Sequence, residues 1–167
     1  RHLVRGELNL GVLVNSETDG KPGPDADDDT DDDGVTFLTE ITTAVSSGDV
    51  QITATEAGKV DAWIDFNRDG DWNDAGEQIF DDLEVTGGTA TYTFAVSGTV
   101  NAGKTYARFR ISTDGVDGPT GRAPDGEVED YSITISDDSG DPQNPVVNIA
   151  GNATITASGF FTAQADS

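Results

Sequence analysis

The stretch Asp65-Phe66-Asn67-Arg68-Asp69-Gly70-Asp71-Trp72-Asn73-Asp74-Ala75-Gly76-Glu77 decides how the rest of the chain is read. Oxygen-bearing side chains stand at alternate positions, Asp65, Asn67 and Asp69, and Gly70 follows at once. Alternate carboxylates turned inward, with a glycine to permit the sharp bend, are how a loop wraps a hard cation such as calcium. The ligand set this spacing predicts is Asp65, Asn67, Asp69, the backbone carbonyl of Asp71, and Glu77. The competing reading is an acidic hairpin tip that holds no metal.

The flanks choose the scaffold. An EF-hand loop closes with a bidentate Glu at its twelfth position, but Gly76 stands there and Glu77 comes one residue later. The lead-in, Lys59-Val60-Asp61-Ala62-Trp63-Ile64-Asp65-Phe66, is β-branched and aromatic, so a strand and not a helix is expected to carry the loop. Working outward, residues 50–55, 91–96, 106–111 and 130–135 alternate apolar with polar, and Glu56-Ala57-Gly58 and Gly87-Gly88 punctuate them as turns. No helical period of useful length interrupts this pattern. The fold class is therefore all-β: an antiparallel β-sandwich, Ig-like or jelly-roll-like, with calcium-binding loops and an extended C-terminal strand. Within residues 106–111, Ala107, Phe109 and Ile111 share one face, and Tyr106, Arg108 and Arg110 share the other. In a chain so poor in cations, the two arginines are expected to pair structurally with carboxylates of Gly126-Glu127-Val128-Glu129-Asp130-Tyr131.

Charge bounds the partners. The 167 residues carry 32 acidic and 9 basic side chains, a net charge of −23. Nucleic acid and anionic membrane surfaces would repel such a chain, whereas divalent cations are natural partners. With no cysteine there is no disulfide framework and no thiol chemistry. Calcium can take over that stapling role by binding the folded state alone. No apolar run approaches the roughly 20 residues of a membrane helix. The chain opens Arg1-His2 without an initiator Met, and is expected to be a mature or excised piece of a longer precursor.

A second acidic region spans residues 15–34. There Asp29, Asp31 and Asp33, followed by Gly34, repeat the alternate-carboxylate pattern and predict a second calcium loop. The bland alternative is a solvated acidic run. Asn15, Glu17 and Asp19 form a third candidate of the same kind. Catalysis is not expected. The single histidine, His2, reads as a surface residue near the terminus, and the carboxylates sit in hydrated, mutually repelling clusters without an isolated acid in an apolar pocket.

Three stretches together carry a family likeness: Trp63-Ile64-Asp65-Phe66-Asn67-Arg68-Asp69-Gly70-Asp71-Trp72, then Tyr106-Ala107-Arg108-Phe109-Arg110, then Asp125-Gly126-Glu127-Val128-Glu129-Asp130-Tyr131. The chain resembles the GEVED-type domain, named for the motif present here at residues 126–130, over roughly residues 1–136. The resemblance implies a calcium-stabilised β-sandwich of large secreted and cell-surface bacterial proteins, with no established catalysis. Family members often carry a Gly-Asp-Ala-Pro-Asp-like segment ahead of an Arg-His pair, and this chain starts at that pair.

The domain organisation expected is a sandwich over 1–136, a Pro/Gly/Asp linker over 137–145, and a strand-like tail over 146–167. In the tail, Val147, Ile149, Gly151, Ala153, Ile155, Ala157, Gly159 and Phe161 make a small-to-apolar face along residues 146–161. Extended, that segment would reach roughly 50 Å, long for one strand, and it needs a sheet to join. It can begin a following domain, complete the sheet of a neighbouring copy as a donor strand, or pack on its own domain. Head-to-tail donation would build a fibre. The expectation is thus a structural subunit of an extracellular bacterial fibre or adhesin, its partners copies of itself or adjacent domains of its precursor. The alternative is a calcium-dependent carbohydrate-binding module in which Trp63 or Trp72 stacks on sugar.

Overall fold

Alternation of buried and open positions writes the strands directly. The computed structural model describes residues 8–11, 33–138, 149–150 and 154–155. The strands are β1 (Val35–Phe37), β2 (Ser47–Ala54), β3 (Gly58–Ile64), β4 (Gln78–Val85), β5 (Gly88–Ala95), β6 (Gly103–Ser112), β7 (Glu127–Ile135), β8 (Ile149–Ala150) and β9 (Thr154–Ile155). In β2 every second residue, Gly48, Val50, Ile52 and Ala54, is buried. Such a period-two pattern buries one face of a sheet and leaves the other to solvent.

Two antiparallel sheets result, ordered β1-β2-β5 and β4-β3-β6-β7. Their inner faces meet as a sandwich. Phe37 of the three-stranded sheet packs edge-on against Phe109 and Tyr131 of the other, at 6.0 and 6.3 Å between ring centres. Phe94 meets Phe80 in the same way at 6.3 Å. Rings prefer this edge-to-face arrangement, and each such pair adds about 0.5–1.5 kcal/mol beyond area burial. Val50, Ile52, Val60, Ile64, Phe66, Ala107, Phe109 and Ile111 complete the core. The all-β sandwich expected from the sequence is the fold observed.

Residues 126–130 lock the flank where β7 meets the N-terminal segment. Glu127 and Glu129 stand opposite Ile111 and Phe109 across β6, so both point inward. Glu127 accepts the amide of Leu10 at 2.9 Å, and Glu129 accepts the amide of Gly34 at 3.1 Å and the hydroxyl of Tyr131 at 2.7 Å. Backbone donors and a phenol replace the water these buried carboxylates give up. Residues 9–11 and 34 in turn lie along β2, Gly11 donating to the carbonyl of Thr53 and Gly34 accepting from its amide. Gly126 must be glycine: its φ is +92°, and a Cβ would lie 1.7 Å from the carbonyl oxygen of Ile111.

The opposite face of the four-stranded sheet carries its own covered layer. Asp61, Trp63, Arg108 and Arg110 all point there and all are buried. The β6–β7 connection covers them. Arg110 donates to the carbonyls of Gly118, Thr120 and Gly121, and Asp61 accepts the amides of Val116 and Asp82. Arg108 makes a two-pronged ion pair with Asp130 at 2.7 and 2.6 Å, as expected for a carboxylate of 126–131. Arg110 departs from that expectation. Its partners are carbonyl oxygens, because its cross-strand neighbour on β7 is Val128. In the tail, Ile149 and Ala150 pair antiparallel with Ile155 and Thr154, so the chain folds back at these residues instead of running on as one strand.

Candidate metal site

The stretch from Asp65 to Glu77 is the connection between β3 and β4, at one end of the sandwich. Its root is fixed from the core side. Thr105 donates its hydroxyl to the carbonyl of Asp65 at 2.6 Å, and Phe66 is fully buried. From there the side chain of Asp65 turns back over the loop. One of its oxygens accepts the amides of Arg68 and Asp69, at 2.6 and 3.2 Å, and the other accepts that of Gly70 at 3.1 Å. Gly70 takes a φ of +94°, the left-handed bend expected at that position.

Glu77 closes the loop from the far side. It is 2% exposed, and its two oxygens face the amides of Asn67 and Asp74 at 3.4 and 3.3 Å. Burial, followed by the charges of Asp65 and Asp74, raises its carboxyl above the ordinary range, while the two amides oppose that rise. Asn67 joins the two sides, donating to both Asp69 and Asp74.

Of the predicted ligands, then, Asp65 and Glu77 shape the loop through its amides, and Asp69 and Asp71 project from it. The latter two meet Asp74, whose oxygen lies with theirs in a group no wider than 4.8 Å, all three residues being exposed. Asp74 was absent from the predicted set. Its signal is the further spacing Asp69-x-Asp71-x-x-Asp74, which the alternate-position rule does not reach. Beside the cluster a cleft of about 430 Å³ runs between Asn67, Asp74 and Glu77 on one side and Ser97, Gly98 and Thr99 on the other.

The donor set suits a hard divalent cation. Every side chain offered is an oxygen ligand, and the loop's own cation turns away. Arg68 donates to the carbonyls of Lys104 and Ala102, at 2.9 and 2.7 Å. Among the described residues, the ion pairs are Lys59–Asp82 and Arg108–Asp130, and neither touches this loop. Among the described residues, no basic side chain pairs with Asp65, Asp69, Asp71, Asp74 or Glu77.

Of the second predicted site, Asp33 is exposed, with its carboxylate against Gly11 where a Cβ would otherwise stand. Asp29 and Asp31 lie outside the described residues, as do Asn15, Glu17, Asp19 and His2. The tryptophans correct one expectation. Trp63 is 2% exposed, covered in the layer with Asp61 and Arg108, and offers no open ring. Trp72 is half-buried, with the Arg108 guanidinium 4.9 Å from its ring centre and its indole N–H directed at the carbonyl of Tyr106.

A β-sandwich with an acidic, oxygen-lined loop on its β3–β4 hairpin, and an inward-facing Glu-x-Glu strand tying down its N-terminal segment, defines an all-β module. The GEVED domain family matches residues 59–134, which span the four-stranded sheet together with β5. Comparisons with curated proteins and with solved structures find no match.

Proposed function

We propose that this chain is a structural module of an extracellular bacterial fibre or adhesin, a sandwich made rigid by calcium and joined to its neighbours through its C-terminal segment. The observation that carries this is the carboxylate loop between β3 and β4, which has no basic partner among the described residues and whose one arginine faces away. Asp69, Asp71 and Asp74 would hold the ion, with Asp65, Asn67 and Glu77 setting the loop around them. Asp29, Asp31 and Asp33 would hold a second. Bound calcium would supply positive charge where carboxylates repel, and would tie together a hairpin end that otherwise resists closing. Such clamping stiffens a module without changing its fold. The carbohydrate-binding alternative loses support from the burial of Trp63 and the stacking of Trp72 under Arg108.

Chelation tests the reading. Calcium at a hundredfold excess over its dissociation constant adds about 2.7 kcal/mol of stability, which for a domain this size moves the melting temperature by roughly 5–10 °C. Excess EDTA is expected to remove that increment, and calcium titration to show saturable heat. A melting curve that EDTA leaves in place would end the calcium claim.

A further inference from the structure

Two open sheets have four outer edges, and three of these are guarded. β4 carries Asp81, Asp82 and Glu84 and shifts register against β3 around Asp61. β1 is only 3 residues long. β7 carries Glu127, Glu129 and Asp130, and Thr42 bridges its end at Ser136. Charges, bulges, short strands and covering segments are how a sheet edge refuses foreign strands. β5 has none of them. Gly88–Ala95 contains no charged residue and no proline, and pairs with β2 along its whole length without a register shift. Val96 donates its amide to Ser46 on the β2 side. By the two-residue period, Ala90, Tyr92 and Phe94 do the same, and Thr89, Thr91, Thr93 and Ala95 turn their amides and carbonyls outward. These four residues are exposed, and among the described residues β5 pairs with β2 alone.

Charge selects the occupant. At a net −23, two surfaces of this chain repel unless both are neutral. Residues 85–103 and 142–165 are the two longest stretches free of Asp, Glu, Lys and Arg. The first contains β5, and the second contains the alternating segment 146–161. Asp138 leaves the sandwich beside Thr43, on the flank where β7 meets β1. β5 lies on the other flank, where Tyr92 packs against Phe80 of β4. Resting on the tail-mediated joining proposed above, we infer that the outer edge of β5 is the acceptor for residues 146–161 of a second copy. On joining, that segment exchanges its fold-back pairing of Ile149 and Ala150 with Ile155 and Thr154 for a single further strand beside β5, taking the outward amides and carbonyls of Thr89, Thr91, Thr93 and Ala95 as its ladder.

Because the chain has no cysteine, a pair of introduced ones reports on a single contact. Full-length Thr91→Cys is mixed with full-length Ala153→Cys and oxidised, with Ile149→Cys and Ala157→Cys as alternative registers. Mixed disulfide pairs are expected to outnumber like pairs severalfold. In parallel, Thr91→Pro removes an outward amide without touching the β2 ladder, and is expected to weaken assembly at least tenfold by light scattering while keeping the melting temperature. Should the proline lower the melting temperature, Thr91→Asp on the same exposed side chain provides the same readout. Assembly lost on deleting 146–167 but kept in both Thr91 variants would leave the tail as connector and overturn β5 as its acceptor. Assembly that survives the deletion, or a chain that stays monomeric, would overturn the tail reading and this inference together. A disulfide closing within one chain of the doubly substituted Thr91→Cys/Ala153→Cys protein would replace the second copy by the chain's own tail.

Discussion

Glu77 holds the conflict of the loop in one side chain. It is buried and faces two amides, yet the charges of Asp65 and Asp74 stand near it, and its carboxyl titrates above the ordinary range. A raised carboxyl favours the protonated form of the folded state, so the stability that goes with protonation is present at low pH and lost as pH rises through the folded value. In chelator, Glu77→Gln keeps an acceptor for the Asn67 amide and removes the charge. Its melting temperature is therefore expected to equal or exceed that of the parent at pH 7, the gap closing as pH falls toward 5. In calcium the order should reverse, because the loop around the ion loses one of the negative charges that attract it, and calcium affinity should fall at least tenfold. Paired melting curves with EDTA and with calcium check both halves. A variant less stable than the parent in EDTA would show that the buried charge is compensated by some other group.

At the scale of elements, the β6–β7 connection takes the largest share of its side-chain contacts from Arg110, beside one from Arg108 to the carbonyl of Pro119 and one from Asp61 to the amide of Val116. Arg110 supplies three carbonyl contacts to residues 118–121, its Nε has no partner, and burial followed by the neighbouring Arg108 lowers its pKa from the ordinary value. Arg110→Met would fill the space but orphan those carbonyls, at a cost of about 2–3 kcal/mol. Amide hydrogen exchange over 113–126 should quicken while β2 and β5 stay protected. Arg110→Lys should recover little, since an ammonium cannot reproduce the planar fork. If exchange in the connection were unchanged in Arg110→Met, Asp61 and Arg108 would be the groups that hold it. This covered layer was illegible in the sequence. Its lid, residues 113–126, is Gly, Pro and Asp-rich and bears no apolar period, so Trp63 read as exposed. The inward strand residues were hidden for a related reason. Glu127 and Glu129 look like surface acids beside arginines, but their partners are amides 117 and 95 residues away. What could be read was local. The alternation of 50–55 and 106–111 gave the strands, and Asp-x-Asn-x-Asp-Gly gave the loop, because each follows from a period of two residues.

For the molecule as a whole, charge is the dominant fact, and it makes the calcium claim separable from simple screening. A net −23 on a chain of 167 residues destabilises the folded state by self-repulsion. Raising sodium chloride in chelator from 0.01 to 1 M shortens the screening length from roughly 30 to roughly 3 Å. The melting temperature should therefore climb gradually, with no plateau at low salt. Calcium at about 1 mM contributes almost nothing to ionic strength, so an effect at that level must come from ions held at fixed places. We expect the calcium increment to saturate, to persist in 0.15 M sodium chloride, and to shrink in a protein carrying Asp69→Asn, Asp71→Asn and Asp74→Asn. Those changes remove three negative charges, so screening alone would predict the triple variant to be more stable than the parent in chelator, and it should be. Only a bound ion predicts that the order inverts once calcium is added. If sodium chloride at matched ionic strength reproduced the calcium effect, the loop would be an acidic hairpin end whose carboxylates are merely screened.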